Sequence, residues 1–325
     1  MNNARSRVLV VHAAASSLEP AYSYLLQALG SIPSVLFDPG NSAKQQLAGV
    51  EIVVDIGGWS QSEFIRVAHA AGVKFWQVIG YGLDHLDLME LRNAHIIVAR
   101  TPGPTTAIPL AEHAMYLLLA VEKNGNTARA LMKSGHFYNS LNGELAGRTL
   151  AIIGLGASGQ ELAKRARGFG IRVLALDLVD FDPAFLSLLG VEKCFAIDKL
   201  HEVLAEADYV SLHLPLTDET RQIIDGPALA AMKPGGILIN VARGGLTNEE
   251  AVIDALKTGL LRGAGLDVFE VEPLMPDHPY MSMPNVVLTP HLAAATLETL
   301  GRRSEIAAEN VRRSLAGERM LYIVP

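Results

Sequence analysis

Three side chains with complementary chemistry, Arg243, Glu272 and His291, each come shortly after an apolar run that is typical of a β-strand. The carboxyl ends of parallel strands meet at one edge of a sheet, where open α/β sheets bind ligands, so we expect these side chains to lie close together. A guanidinium can engage a carboxylate and a neighbouring ketone with its planar fork, and an imidazolium can supply a proton. A carboxylate beside the imidazole would orient the ring and favour its protonated form. The set therefore suits reduction of a small acid that carries a ketone beside its carboxylate.

Each of these residues also has an ordinary structural interpretation, since any of them can cap a helix or form an ion pair at the surface. Glu272 taken alone fits that interpretation better than a catalytic one, and Arg243 and His291 taken alone fit both. Their shared position beyond the strand ends is what favours catalysis.

A glycine-rich turn at residues 154–159, with the sequence GLGASG, matches the GxGxxG pattern of dinucleotide-binding proteins. The pattern alone is common and carries little weight. Here a strand-like run, 150–153, enters the turn and a helix-like run, 160–169, leaves it, which is the context that dinucleotide binding requires. The alternative is a flavodoxin-like turn that binds no dinucleotide.

Each part of the turn has a physical purpose if a dinucleotide binds. Gly154 would allow the tight turn, Gly156 the approach of a diphosphate to the backbone, and Gly159 the close packing of helix on strand. The free amides at the start of the helix, around Ala157 and Ser158, would hold the diphosphate at the positive end of the helix dipole.

Asp177 ends the next strand-like run and is placed to accept hydrogen bonds from the hydroxyls of the adenosine ribose. The same carboxylate would repel a 2′-phosphate, and neither Arg nor Lys occurs among the five residues that follow it. The sequence therefore predicts NAD rather than NADP.

Short apolar runs alternate with helix-compatible segments along the chain, in two series separated by Thr101-Pro102-Gly103-Pro104. Continuous apolar runs indicate strands covered on both faces, and hence parallel sheets. The candidate strands of the first series are Val8–His12, Val35–Asp38, Ile52–Ile56, Lys74–Ile79 and His95–Ala99. Those of the second series are Leu150–Gly154, Arg172–Asp177, Cys194–Ile197, Tyr209–Leu214, Gly236–Val241, Gly263–Val268 and Val286–Pro290. The sequence predicts an α/β protein with two doubly wound parallel-sheet domains.

The clearest predicted helices are Ser62–Ala71, Ile108–Lys123 and Leu297–Leu315, and Asn124–Gly147 is a polar, glycine-containing stretch. Thr247-Asn248-Glu249-Glu250 has the form of a capping box, in which the Thr hydroxyl and the second Glu satisfy free amides at a helix start.

Length and composition limit the function classes. The 325 residues, half of them apolar, suffice for two domains with a core each, and a net charge of −7 argues against nucleic-acid binding. Cys194 is the single cysteine and the histidines form no HExxH cluster, so we expect no disulfide, no metal site and a reducing, cytoplasmic location.

Arg5 and Arg7 before Val8–Val11 leave export open as an alternative, although His12 interrupts the apolar run. No run is long enough to cross a bilayer, so no membrane partner is expected.

The chain resembles the D-isomer-specific 2-hydroxyacid dehydrogenases over nearly its whole length. The matching motifs, in order, are GYGLDHLD at 80–87, TPG at 101–103, AEH at 111–113, GLGASG at 154–159, SLHLPLT at 211–217, MKPGG at 232–236, NVARGG at 240–245, GLDVFEVEP at 265–273 and LTPH at 288–291. The resemblance implies an enzyme that transfers a hydride between NAD and a small D-2-hydroxy acid or 2-keto acid.

The resemblance also implies an architecture. A Rossmann NAD-binding domain, residues 104–293, is inserted into a flavodoxin-like substrate domain made of residues 1–103 and 294–325. Homodimers would form through the segment around Ile108–Leu145.

The resemblance further assigns roles to residues. Arg243 would anchor the substrate, His291 would be the acid/base and Glu272 its partner, while the backbone amides of Tyr81 and Gly82 would hold the substrate carboxylate. Beyond the glycine turn and Asp177, it implies cofactor contacts for Leu214, Pro215, Val241, Ala242, Arg243, Asp267 and His291.

Two positions refine these implications. The family commonly has Arg where this chain has Ala157, so one ionic contact to the diphosphate is expected to be missing. Formate dehydrogenases have Gln where this chain has Glu272, which favours a 2-keto acid reductase, for instance of glyoxylate or hydroxypyruvate.

Tyr81 and Trp59 shape the substrate pocket or belong to the core. Two other functions stay open: an NAD-sensing protein like the corepressors of similar sequence, and a phosphite-type dehydrogenase.

Overall fold

The computed structural model describes residues 8–12, 19–57, 62–137 and 141–325. It divides into two compact units, of which the first is Met1–Thr105 with Ala295–Pro325 and the second is Thr106–Ala294. Each unit contains one parallel sheet with helices, so the predicted fold class of two doubly wound α/β domains is confirmed.

The first unit has a five-stranded parallel sheet with the strand order β2-β1-β3-β4-β5. The strands are β1 Val8–Val11, β2 Ser34–Leu36, β3 Ile52–Asp55, β4 Phe75–Val78 and β5 Ile97–Arg100. Every residue of β1, β3 and β4 is buried, which explains why these strands are continuous apolar runs rather than alternating ones.

Helices cover this sheet, and the last helix of the chain is one of them. The helices are α1 Glu19–Leu29, α2 Ala43–Gln46, α3 Ser62–Ala71, α4 Leu88–Asn93 and α12 Leu297–Ala316. The buried Asn310 of α12 donates from Nδ2 to Oε1 of Gln77 in β4, at 2.7 Å. This hydrogen bond satisfies two buried amides and fixes the last helix against the first sheet.

The second unit has a seven-stranded parallel sheet with the order β12-β11-β10-β9-β6-β7-β8. Its strands are β6 Thr149–Ile153, β7 Arg172–Leu176, β8 Val191–Phe195, β9 Tyr209–Leu212, β10 Gly236–Asn240, β11 Leu261–Leu266 and β12 Val286–Leu288. The chain adds β7 and β8 on one side of β6 and the remaining strands on the other. The resulting switch point, between β6 and β9, is where open α/β sheets form a ligand-binding crevice.

The helices of the second unit are α5 Ala107–Glu122, α6 Gly125–Lys133, α7 Ala157–Arg167, α8 Pro183–Leu189, α9 Leu200–Glu206, α10 Gly226–Ala231 and α11 Glu249–Thr258. Helix α5 lies unusually close to strand β11. A Cβ atom on Gly265 would be 2.7 Å from Cβ of Leu117, and one on Gly263 would be 2.5 Å from Cγ1 of Val121. Only glycine at both strand positions allows this approach.

Three local predictions differ from the structure. The predicted strand at Cys194–Ile197 is β8, and it begins and ends earlier in the chain. The polar stretch 124–147 contains a helix, α6. The capping box headed by Thr247 was wrong, because Asn248 is the N-cap of α11 and accepts from the amide of Ala251, while the Thr247 hydroxyl donates to the carbonyl of Gly244.

No helix within the described ranges is long and apolar enough to span a membrane. Across those same ranges, no cluster of His, Cys, Asp and Glu side chains is arranged to hold a metal ion.

Candidate active site

His291 and Glu272 form a hydrogen-bonded pair beyond the ends of β12 and β11. Nδ1 of His291 lies 2.7 Å from Oε2 of Glu272. Because a carboxylate only accepts, Nδ1 carries a hydrogen and Nε2 is the nitrogen left for proton exchange. The His291 side chain is 48% exposed, so Nε2 is open to a ligand.

The carboxyl group of Glu272 is held on both of its oxygens. Oε1 accepts from the amide of Phe269 at 3.0 Å, and Oε2 faces His291. Partial burial raises the pKa of Glu272, but the hydrogen bond and charge of His291, the Phe269 amide and the charge of Arg243 together lower it below its usual value. Glu272 is therefore ionised at neutral pH, as an imidazole-orienting carboxylate must be.

Arg243 follows β10 and is positioned by a buried asparagine. Nδ2 of Asn240 donates to the carbonyl of Arg243 at 2.9 Å, and its Oδ1 accepts from the amide of Ala242 at 3.1 Å. Nη1 of Arg243 donates to the carbonyl of Ala242 at 2.7 Å. The guanidinium is near enough to Glu272 for its charge to lower the pKa of that carboxyl.

Gly244 explains how the loops that carry Arg243 and Glu272 approach each other. A Cβ atom on Gly244 would lie 1.9 Å from the carbonyl carbon of Phe269 and 2.4 Å from the amide nitrogen of Glu270. The two backbones are thus in direct contact, and no other residue fits at position 244 without moving one of them.

The glycine turn after β6 has the shape that its sequence predicted. Gly154 has φ +98°, and a Cβ atom there would be 2.7 Å from the carbonyl oxygen of His213. A Cβ atom on Gly159 would be 2.2 Å from the carbonyl oxygen of Gly154. A Cβ atom on Gly156, in contrast, would meet nothing within 4 Å. Neither the backbone nor a neighbour requires glycine at 156, so the open space in front of it fits a ligand that must touch the main chain, such as a diphosphate.

The start of α7 offers amides rather than charged side chains. Gly156 is the N-cap and no side chain caps the helix, so its first amides, at Ala157 and Ser158, face the open space. Oγ of Ser158 lies 3.0 Å from Nδ1 of His213. Burial lowers the pKa of His213 to about 4, so the ring is neutral and adds no positive charge to the turn. The charge of a diphosphate would therefore be balanced at this turn by amides and the helix dipole.

Asp177 follows β7 and belongs to the same turn. Its Oδ2 accepts from the amide of Leu155 at 2.6 Å and its Oδ1 from the amide of Val179 at 3.0 Å. Each carboxylate oxygen keeps a further lone pair, which is enough to bind a ribose diol.

The other residues predicted in the second unit lie at the same edge of its sheet. Leu214 and Pro215 follow β9, Val241 and Ala242 follow β10, and Asp267 follows β11. The structure thus brings the glycine turn, Asp177 and the Arg243, Glu272 and His291 side chains to the carboxyl ends of one parallel sheet.

Tyr81 and Gly82 belong to the first unit, in the loop after β4. Within the described residues neither amide N–H has a hydrogen-bond partner, so both are available to an anion. Arg100 holds this loop, because its Nη1 donates to the carbonyl of Tyr81 at 3.0 Å and its Cζ lies 4.2 Å from the centre of the Tyr81 ring. Trp59 lies outside the described residues.

The sequence analysis missed three residues that make polar contacts with predicted site residues of their own unit. Arg100 supports the Tyr81 loop, and His113 and Thr289 form a hydrogen-bonded chain to Asp267. The sequence does contain a signal for His113. Gly263 and Gly265 alternate along β11, which indicates that a helix packs closely on this strand, and that helix, α5, contains His113.

A glycine turn of the GxGxxG form, a carboxylate at the end of the next strand and a bonded imidazole–carboxylate pair meet at one sheet edge, an arrangement that fits a nicotinamide-dependent oxidoreductase. The family model described as "D-isomer specific 2-hydroxyacid dehydrogenase, NAD binding domain" matches residues 115–293, more than half of the chain. The chain belongs to this family, and membership supports a nicotinamide cofactor, NAD, and small 2-hydroxy or 2-keto acid substrates.

Individual relatives agree. A glyoxylate reductase of Korarchaeum cryptofilum is 40% identical over 243 residues, which cover 73% of this chain and 71% of the relative. A D-3-phosphoglycerate dehydrogenase of Mycobacterium leprae is 41% identical over 256 residues, and the chain spans 47% of its length. The crystal structure of the TT0316 protein from Thermus thermophilus matches 98% of this chain and 100% of its own, with 34% identity and a TM-score of 0.81.

Proposed function

We propose that the protein reduces a small 2-keto acid to the D-2-hydroxy acid with NADH, using Arg243, Glu272 and His291. The observation that carries the proposal is the hydrogen bond of 2.7 Å between Nδ1 of His291 and Oε2 of Glu272. This pair lies near Arg243, at the same edge of the sheet as the glycine turn. NADH, when bound, supplies the hydride.

The roles of the three side chains follow from their contacts. The guanidinium of Arg243 binds the substrate carboxylate and ketone oxygen with its planar fork. His291 gives a proton from Nε2 to the ketone oxygen as that oxygen becomes a hydroxyl, since its Nδ1 is committed to Glu272. Glu272 stays ionised throughout, orients the ring and stabilises its protonated form. In the reverse direction the same Nε2 accepts the hydroxyl proton.

The remaining predicted contacts complete the proposal. The free amides of Tyr81 and Gly82 bind the substrate carboxylate. The cofactor diphosphate is bound by the amides at Gly156, Ala157 and Ser158, and the ribose by Asp177. Further cofactor contacts come from Leu214, Pro215, Val241, Ala242, Arg243, Asp267 and His291. The domain roles follow: residues 104–293 bind NAD, and 1–103 with 294–325 bind substrate.

A screen of NADH oxidation across keto acids tests this function. Glyoxylate, hydroxypyruvate, pyruvate, phenylpyruvate and bulkier keto acids are offered at saturating NADH, and we expect saturable turnover with glyoxylate or hydroxypyruvate, because a similar protein is named glyoxylate reductase. NAD reduction by phosphite without keto acid turnover would instead show a phosphite-type dehydrogenase. Tight NADH binding with no turnover of any acid would show an NAD-sensing protein.

Replacing Glu272 with Gln tests the partner role through pH. In the reduction direction His291 must be protonated, so the rate falls as pH rises. Gln keeps the shape but removes the counter-charge of the imidazolium, and we expect the basic limb of the kcat profile to move to lower pH. Rates measured from pH 5 to 9 check this. An unshifted profile would mean that Glu272 is only structural.

Replacing Asp177 tests cofactor choice. Asp177→Asn removes the charge and keeps an acceptor for only one of the amides of Leu155 and Val179, whereas Asp177→Ala removes the charge and both acceptors. We expect the ratio of kcat/KM for NADH to that for NADPH to fall about tenfold or more in both variants, because a carboxylate and a phosphate at contact distance repel by several kcal/mol. A ratio that stays at the wild-type value in both variants would place ribose recognition elsewhere.

We also propose a cytoplasmic homodimer. The pairing that the family resemblance implies, through the segment around Ile108–Leu145, is supported by its exposed apolar side chains, which include Tyr116, Met132, Phe137 and Leu141. Apolar side chains gathered on one segment are typical of a surface that another chain covers.

A further inference from the structure

The backbone that carries His291 is held in an unfavourable conformation, and most of its hydrogen bonds are to one residue, Asp267. His291 has φ +51°, in the left-handed region that residues other than glycine rarely adopt. Its amide donates to the carbonyl of Asp267 at 2.8 Å and also to the carbonyl of Thr289 at 3.1 Å. The next two amides, of Leu292 and Ala293, donate to the two carboxylate oxygens of Asp267, each at 2.9 Å. Asp267 therefore binds three consecutive amides and fixes the loop at His291.

Two further side chains hold Asp267 in turn. The hydroxyl of Thr289 donates to Oδ1 of Asp267 at 2.6 Å, and Nε2 of His113 lies 2.8 Å from the same hydroxyl oxygen. Thr289 uses its only hydrogen toward the carboxylate, so its oxygen must accept from His113. His113 consequently carries a hydrogen on Nε2, and the chain runs in one direction, from His113 through Thr289 to Asp267.

The packing of α5 on β11 delivers His113 to this position. Leu117 packs on Gly265 and Val121 packs on Gly263. A step of one turn forward along α5 therefore corresponds to a step of two residues backward along β11. One turn before Leu117 is His113, and two residues after Gly265 is Asp267. Their Nε2 and Oδ1 atoms lie 3.5 Å apart. The glycines that allow α5 to pack closely on β11 therefore also bring His113 next to Asp267.

We propose that His113 and Thr289 are positioning residues for His291, acting through Asp267. The proposal rests on the proposed catalytic role of His291. We name the hydrogen-bonded series of His113, Thr289 and Asp267 the loop clamp. Glu272 fixes the His291 ring directly, and the loop clamp fixes the backbone that carries the ring.

The clamp has a characteristic pH behaviour. Burial lowers the pKa of His113 and the charge of Asp267 opposes this effect, while the ring of Tyr116 lies 5.5 Å away between centroids. Protonation of His113 adds a hydrogen at Nδ1 and leaves the one at Nε2 in place, so the chain of donors is unchanged. Loss of the clamp should therefore lower the rate by the same factor at every pH, unlike loss of Glu272.

Thr289→Val, which keeps the shape and removes the hydroxyl, is the main test. We expect kcat to fall about tenfold through misplacement of His291, with an unshifted pH profile. Thr289→Ser should restore the rate to within about threefold of wild type, since it keeps the donor. Thr258→Val is the matched control, because it removes a hydroxyl that donates to the carbonyl of Asp254 at 2.9 Å in α11, and its kcat should not change.

His113→Phe supplies a second, independent variant. It keeps a planar ring and removes the donor, and we expect a similar fall in kcat. Because the clamp acts as a unit, the His113→Phe/Thr289→Val double variant should be no slower than the slower single variant. This arm decides the proposal if Thr289→Val does not fold.

A measurement on the cofactor-free protein separates the clamp from the chemistry. The imidazole ¹⁵N signals of His291, assigned by their loss in His291→Ala, should report one ordered Nδ1–H form in wild type and Thr289→Ser, and broadened signals in Thr289→Val. Wild-type kcat and signals in both Thr289→Val and His113→Phe would overturn the clamp while His291→Ala still inactivates the enzyme. Full activity of His291→Ala would instead overturn the proposed function itself.

Discussion

Replacing His291 with alanine is expected to lower kcat for keto acid reduction by about 10²- to 10⁴-fold, the usual contribution of a positioned general acid. The expectation rests on geometry. Nδ1 is bound to Glu272 at 2.7 Å, and the half-exposed ring presents Nε2 to a ligand. Without the imidazole, the ketone oxygen would have to take its proton from water. The residual rate should also lose the dependence on pH that the imidazole confers.

A second histidine–glutamate pair provides the control for this prediction. Nε2 of His278 lies 3.0 Å from Oε1 of Glu249 in the same unit, and His278 is the N-cap of the short 3₁₀ helix Pro279–Ser282. His278→Gln keeps a donor for Glu249, and we expect its kcat to remain near wild type. Steady-state rates from pH 5 to 9, with melting temperatures to verify folding, would check both variants. Equal kcat values for His291→Ala and wild type would remove His291 from the mechanism.

The fold was predictable because its determinants are local. Continuous apolar runs such as Ile52–Asp55 are buried on both faces, and they indicated parallel strands before any topology was known. The glycine turn was equally legible, since Gly154 and Gly159 each meet backbone within 3 Å and tolerate no side chain. The rule that ligands bind at the carboxyl ends of parallel strands then grouped Arg243, Glu272 and His291.

What the sequence could not reveal depends on contacts between distant residues. His113 and Thr289 are 176 positions apart, and only the packing of α5 on β11 brings them to a hydrogen bond. The choice between Thr247 and Asn248 as N-cap was also beyond the sequence, because both residue types cap helices well and only the structure shows the Thr247 hydroxyl bonded to the carbonyl of Gly244 instead. Polar networks of this kind leave no periodic signal.

The absence of an arginine at Ala157 has a structural counterpart in the same turn. Ser158 is bonded to His213, and burial lowers the pKa of that ring and keeps it neutral, so the turn gains no substitute charge from it. Binding of the diphosphate would then depend on main-chain amides and on the helix dipole, whose effect is partly screened by salt. The geometry of Gly154, Gly156 and Gly159 is therefore more important here than in a turn that also carries a cation.

Replacing Arg243 with alanine is expected to reduce kcat/KM for the keto acid by about 10²- to 10⁴-fold, because hydrogen bonds to charged groups contribute about 1.5–3 kcal/mol each and the fork makes two. Arg243→Lys should recover only part of this loss, since an ammonium keeps the charge but not the planar pair of donors. Added guanidinium should raise the rate of the alanine variant and not that of the lysine variant, which still fills the position with a cation.

Arg172 is the matched control for this substitution, because it is an arginine of the same unit with two carboxylate partners, Glu192 and Glu206, at the opposite end of the sheet. Arg172→Ala removes two ion pairs at the surface, where such pairs contribute little, and kcat/KM should stay near wild type. If Arg243→Ala and Arg172→Ala behaved alike, the guanidinium at 243 would be an ordinary surface charge. A selective loss in Arg243→Ala, together with rescue by guanidinium, is the result expected if that group contacts the reacting acid. That result would link the position of Arg243, just beyond the end of β10, to binding of the substrate.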